Sequence, residues 1–245
     1  MAIEAAVVAN AETDVVAMHM SDGIINAPTS ALFWAVAVVG VGVAIWRART
    51  ELDERTAPMA GLVAAFIFAV QMINFPILPG VSGHLLGGGL AAILVGPYTG
   101  ALCIAIVLTV QSLLFADGGL TALGANITNM ALVGTAVGYA VAVVLRPLLA
   151  GRGDGGIGVL AFVSAWCATV LAASMFVVEY AIGGSAITSL HTVAAYMFGT
   201  HALIGIGEGI ITAFTVVAVA RARPDLVYLL RRRTVRTRDD GVVST

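Results

Sequence analysis

The chain has 245 residues, of which 60% are hydrophobic and only 11% charged, and its mean hydropathy is +1.00. Soluble domains are about a quarter charged, so a soluble domain is excluded and a polytopic membrane protein is expected. The net charge of −2 matters less than its distribution: there is no lysine, and all twelve basic residues are arginines.

Residues 1–17 are rich in alanine and valine and carry Glu4, Glu12 and Asp14. They lack the basic start of a secretory signal and are too short and acidic to cross a bilayer. They are expected to be a non-native or processed extension, with the working chain starting at Met18. A methionine before the large His19 is retained after synthesis, whereas Met1-Ala2 is readily clipped. A free Met18 amine, the His19 backbone nitrogen and the His19 ring would close two adjacent chelate rings on a borderline metal ion. His84 would complete a four-nitrogen site. Histidine is otherwise scarce, with His191 and His201 the remaining pair.

Seven spans follow, at 29–47, 58–78, 84–97, 98–116, 124–148, 157–181 and 192–222, long enough as a set for a hydrocarbon layer of about 30 Å. The third is short. It starts at His84, contains Gly87-Gly88-Gly89 and ends at Gly96-Pro97, as a broken or re-entrant helix lining a cavity does. With seven crossings every arginine falls on one side: Arg47, Arg49 and Arg55, then Arg146 and Arg152, then Arg221 and the seven-residue basic set it begins. The positive-inside rule makes that side the cytoplasm. The fold expected is therefore an all-α, seven-helix membrane protein with its N-terminus outside and its C-terminus cytoplasmic. Its membrane domain covers 18–223, and a basic tail over 224–245 serves as a topology anchor on anionic lipid, not as a nucleic-acid arm. Cys103 and Cys167 sit in apolar spans and read as small buried residues.

Three polar stretches interrupt the apolar pattern. The first, QMINFPILPGVSGHLLGGGL, opens with Gln71 and Asn74, which are costly in a membrane unless bonded or lining a site. Pro76 and Pro79 then break the helix, Gly80 and Gly83 turn the backbone, and His84 is expected to start the next helix. The glycine run is no phosphate loop, since the Lys-Ser/Thr ending is missing. The second stretch places an outer turn at Asp117-Gly118-Gly119. Around it Gln111, Asn126 and Asn129, together with Asn74 and Ser82, are positioned to hydrogen-bond a metal-bound histidine. The third contains His201 and Glu208, seven apart and so on one helix face. They read as a structural pair facing the bundle interior or a coupling surface. His191 is expected to be exposed. Ala31 with Ala35, and Gly134 with Gly138, are small-xxx-small pairs suited to close packing.

From Met18 to about Arg223 these residues resemble the CbiM/NikM family, the substrate-binding membrane subunits of energy-coupling-factor transporters for cobalt and nickel. The resemblance rests on five blocks in order: the Met-His start, NFPI-x-x-G-x-SGH-L, the Gly-Pro turn, Q-x-LLF-x-DGGL-x-x-LG-x-N and H-x-x-IG-x-GE. It implies a divalent cation held by the Met18 amine, the His19 backbone and ring nitrogens and the His84 ring. It implies Co(II) or Ni(II) as transported substrate, with no organic cofactor. It also implies residence in the plasma (inner) membrane beside a transmembrane coupling protein, two cytoplasmic ATP-binding subunits and a small auxiliary membrane protein. With no P-loop here, the energy would come from those partners, and hydrolysis would tilt this subunit to release metal inward. Cobalt for cobalamin synthesis is preferred to nickel because the chain is short and carries no fused auxiliary domain.

Three rivals were weighed on the residues. Gly80-Val81-Ser82-Gly83 matches the short G-x-S-G of a rhomboid-like intramembrane serine protease, but leaves His84 and Met18-His19 without a role. A retinal protein needs a Schiff-base lysine, which is absent. A stand-alone channel or carrier is disfavoured by the few intramembrane charges.

Overall fold

In a computed structural model, the chain is described over residues 19–54, 56–73, 75–78, 81–185 and 188–231. Met18, Asn74 and the extension before them lie outside the described residues, as does the basic tail beyond Arg231. Helices dominate: α1 (Ala27–Ala48), α2 (Thr56–Gln71), α3 (Gly88–Val95), α4 (Pro97–Leu114), α5 (Leu123–Asn126), α6 (Gly134–Leu149), α7 (Gly153–Gly183) and α8 (Leu190–Ala222). A π-helical stretch, Ile127–Val133, joins α5 to α6 without a break. Each of the seven expected segments contains helix. Among the described residues four apolar stretches are long enough to cross a membrane: α1, α4, the Leu123–Gly183 run and α8. The Leu123–Gly183 run folds back at a 3-10 turn, Ala150–Arg152, so α6 packs along α7.

The purely helical expectation needs two corrections. The second segment stops at Gln71 rather than 78, and an antiparallel hairpin follows, β1 (Phe75–Leu78) with β2 (Val81–Gly83). Pro76 and Pro79 explain it, because proline cannot donate to a helix and biases its predecessor to extended backbone. The third helix starts at Gly88, not at His84. Residues 84–87 run as irregular backbone to Gly87, whose φ of 85° places it in the left-handed region. At eight residues α3 alone is too short to span hydrocarbon, and the irregular segment 84–87 extends it.

Glycine and alanine let α3 sit at the centre. A Cβ on Gly88 would lie 2.7 Å from the Gly134 backbone. One on Gly89 would lie 2.6 Å from Ala165, and one on Gly138 would lie 2.7 Å from Gly89. The Gly134/Gly138 pair thus packs α6 onto α3 within the molecule. All residues of α3 are buried. By contrast Leu32, Val38, Val39, Trp46, Leu114 and Phe214 point outward, the apolar belt expected of lipid-facing helices. Ala31 and Ala35 are exposed on α1.

The helix ends sort by charge. Arg47, Arg146 and Arg221 close α1, α6 and α8, and Arg152 and Asp154 lie at the α6–α7 fold. At that end Glu51 caps α4, accepting from the Tyr98 and Thr99 amides at 3.3 and 2.7 Å. The chain after α8 stays folded through two 3-10 turns, with Val227 and Leu229 buried. At the opposite end residues 20–26 form a strap. Asn26 caps α1 through Thr29 N–H at 3.0 Å, and its own N–H donates to the Gly183 carbonyl at 2.7 Å.

Candidate metal centre

The strap delivers His19. Asn126, at the end of α5, grips the next residue on both sides: Met20 N–H donates to Asn126 Oδ1 at 2.8 Å, and Asn126 Nδ2 donates to the Met20 carbonyl at 3.1 Å. Gly119 N–H reaches the same carbonyl at 3.0 Å. Two residues on, Asp22 accepts from the Thr121 N–H at 2.7 Å and the Thr121 hydroxyl at 2.5 Å. That hydroxyl bond, first, and the backbone bonds hold its carboxyl below the ordinary 3.8. The glycines of the Asp117-Gly118-Gly119 turn exist for this docking. A Cβ on Gly119 would collide with Asp22 at 2.3 Å. One on Gly118 would meet Asn126 Nδ2 at 3.2 Å and His19 Cβ at 3.5 Å. Gly118 has φ 85°, and Ala116, just before Asp117, has φ 53°. A left-handed alanine is uncommon outside constrained sites.

His19 and His84 meet. Their rings lie 4.5 Å apart between centroids, tilted by 39°, and both residues are buried. His19 Nδ1 donates to Asp117 Oδ1 at 2.8 Å. That hydrogen bond, ahead of the His19 charge, holds the Asp117 carboxyl below its ordinary 3.8 against the opposing effect of burial. His84 Nδ1 donates to the Leu85 carbonyl at 3.0 Å. In both rings Nε2 is buried without a hydrogen-bond partner. With Nδ1 carrying the proton, each Nε2 presents a lone pair, the form in which imidazole binds a metal. His201 repeats the pattern in α8, Nδ1 donating to the Met197 carbonyl at 2.8 Å and Nε2 unpartnered. Among the described residues no three His, Cys, Asp or Glu side chains converge as a ligand set.

The other expected helpers take different partners. Asn126 holds the Met20 backbone, not an imidazole. Asn129 Nδ2 donates to Glu179 Oε2 at 2.8 Å, deep between the π stretch and α7. Gln111 Nε2 lies 3.8 Å from Met72 Sδ, with Oε1 free of partners. Ser82 lies in β2, and its side chain, like Asn74, is outside the described residues. Asp117 is the imidazole's true partner. Sequence reasoning assigned it only to a turn, although an acid beside two glycines at a helix break was the available signal. His191 is exposed as expected, and Cys103 and Cys167 are free. Cys103 is buried, and its thiol donates to the Ala60 carbonyl at 3.4 Å.

The family model described as the cobalt uptake substrate-specific transmembrane region, CbiM, matches residues 19–226. The chain belongs to the CbiM family. A Haloquadratum walsbyi relative named for metal transport is 39% identical over 86% of this chain and 94% of its own length. The cobalt transport protein CbiM of Sorangium cellulosum is 33% identical over 87% of this chain and 96% of its own. The fused nickel transport protein NikMN of Rhodobacter capsulatus is 33% identical over 86% of this chain, which spans 64% of that longer relative. A crystal structure of a truncated transition metal transporter superposes with a TM-score of 0.73 at 26% identity, over 83% of this chain and 99% of that one.

Proposed function

We propose that this chain is the membrane subunit that captures Co(II) or Ni(II) at the His19–His84 end for ATP-driven uptake. The observation that carries the reading is the pair of buried imidazoles 4.5 Å apart, His84 with Nδ1–H engaged and Nε2 open, His19 with Nδ1 held by Asp117. Burying the His84 acceptor without a partner costs free energy, and a cation repays it. Relatives named for cobalt and for nickel transport support the substrate class. The strap supports the ligand set. Asn126, Gly119 and Thr121 fix residues 20–22 and so aim whatever precedes them at His84.

On this reading Met18 supplies its amine, where the mature chain begins there, and His19 its backbone and ring nitrogens. His84 supplies its ring. A His19 chelate uses Nδ1, the ring nitrogen nearest its own backbone, so capture exchanges the Asp117 hydrogen bond for the metal. Asp117 stays beside the ion as a compensating negative charge. The arginine-bearing end is cytoplasmic and the His19 end outside, with seven crossings of the plasma membrane. Partners are a transmembrane coupling protein, two ATP-binding subunits and a small auxiliary membrane protein, and the chain itself carries no ATPase. Uptake of labelled metal by cells carrying this chain with and without the ATP-binding partners tests the assignment: uptake is lost without them, whereas undiminished uptake contradicts it and supports a stand-alone carrier.

A further inference from the structure

We infer that Glu208 is the positioning residue for His84, acting through a single peptide group; the inference rests on the capture reading above. Glu208 is buried in α8, far along the chain from the metal centre. Its Oε2 accepts from Leu86 N–H at 2.8 Å, and its Oε1 accepts from Gly87 N–H at 2.9 Å. The Thr169 hydroxyl of α7 lies 2.8 Å from Oε2. A carboxylate in an apolar bundle is expensive and is kept only where it is fully engaged and useful.

The Leu86 N–H shares one planar group with the Leu85 carbonyl. That carbonyl accepts the His84 Nδ1–H at 3.0 Å. The order is therefore Glu208 carboxylate, Leu85–Leu86 peptide, His84 Nδ1–H, open Nε2. Fixing one edge of the plane fixes the other, and so fixes the plane and tautomer of the His84 ring. The hydrogen bond from the Leu86 N–H also polarises the peptide along the chain of bonds. This makes the Leu85 oxygen a stronger acceptor and His84 a more basic ligand, as the carboxylate behind a metal-bound histidine does directly elsewhere. From the other side Gln71 Nε2 donates to the Leu86 carbonyl at 2.7 Å. Gly87 leaves in the left-handed region, with Ile67 2.9 Å from where its Cβ would be. The irregular segment 84–87 is thereby gripped from α2 and α8, with Thr169 of α7 behind the α8 carboxyl group.

The test is Ni(II) titration of the purified full chain, following affinity and the d–d absorption band. Glu208→Gln weakens binding by about 10–100-fold, the range for partners behind a ligand, and shifts the band because the ring loses its fixed plane. Thr169→Val, which keeps the carboxylate and removes one donor, gives the same shift in the same direction with a loss of a few-fold. In a His84→Ala background Glu208→Gln has no further effect on residual binding, since it acts through that ring. Unchanged affinity and spectrum in Glu208→Gln, or an equal loss with and without His84, would overturn the inference while leaving capture intact. A wild-type chain that binds no metal would overturn the capture reading and the inference together.

Discussion

Two buried glutamates make the same hydrogen-bonded motif on either side of α3, and the comparison separates fold from function. Glu51 spans the Tyr98 and Thr99 amides that begin α4, after Gly96 at φ 100°. Glu208 spans the Leu86 and Gly87 amides that precede α3, with Gly87 at φ 85°. Each carboxylate meets unpaired amides at a helix N-terminus, where backbone donors and the helix dipole both favour negative charge. Each glycine admits the close turn: a Cβ on Gly96 would lie 2.7 Å from the Glu51 carboxyl carbon. The difference lies in what the capped peptide touches. Behind Glu51 is an open cavity of about 680 Å³ lined by Arg146, Tyr228 and Arg231. Behind Glu208 is the ring of His84. One cap holds helices together, and the other holds helices together and aims a ligand.

The largest expected effect comes from Glu208→Ala. It strands two buried amides, each worth about 1–3 kcal/mol when unpaired, so thermal stability and metal binding fall together; both are read by melting the detergent-solubilised chain with and without Ni(II). Glu51→Gln sharpens the contrast. It lowers the melting temperature by several degrees, while the affinity and spectrum of bound Ni(II) stay at wild-type values. A Glu51 variant that loses metal as Glu208→Gln does would erase the distinction between the two caps. Gly87→Ala is expected to cost about 1–3 kcal/mol, from the left-handed backbone and the clash with Ile67, and to weaken metal binding by tilting the 84–87 segment.

Asp117→Asn is milder. The fold is kept and Ni(II) affinity falls about tenfold, within the range for outer partners of a ligand, as measured by the same titration. The smallest effect is on acid sensitivity of the strap. Asp22 is held below its ordinary 3.8 by Thr121, so its contribution is complete above that value. It is lost only as pH falls through the lower folded one. Amide exchange over residues 20–26 is therefore flat from neutral pH down to about 4 once corrected for intrinsic rates, and rises only below it; Asp22→Asn abolishes the rise.

Much of this was legible in the chain itself. Apolar runs located the helices, and the prolines at 76 and 79 marked a helix break, although the helix ends earlier, at Gln71. The scarcity of histidine singled out His19 and His84, which the fold brings to 4.5 Å. What sequence could not show was who holds them. Asn126 and Asn129 looked like imidazole partners, yet they bond the Met20 backbone and Glu179. Asp117 and Glu208 do the holding, through contacts 98 and more than 120 residues apart in the chain. Spacing rules report neighbours on one helix. They are silent on which backbone amide a distant carboxylate will reach.

On the proposed reading His19 and His84 together hold the transported ion, and native mass spectrometry with Co(II) or Ni(II) decides it. One metal ion is expected per wild-type chain, with the chain beginning at Met18, and strongly reduced occupancy in His19→Ala or His84→Ala variants that keep their helical circular dichroism. Equal metal loading in either variant, or a wild-type chain that takes up none, would contradict it.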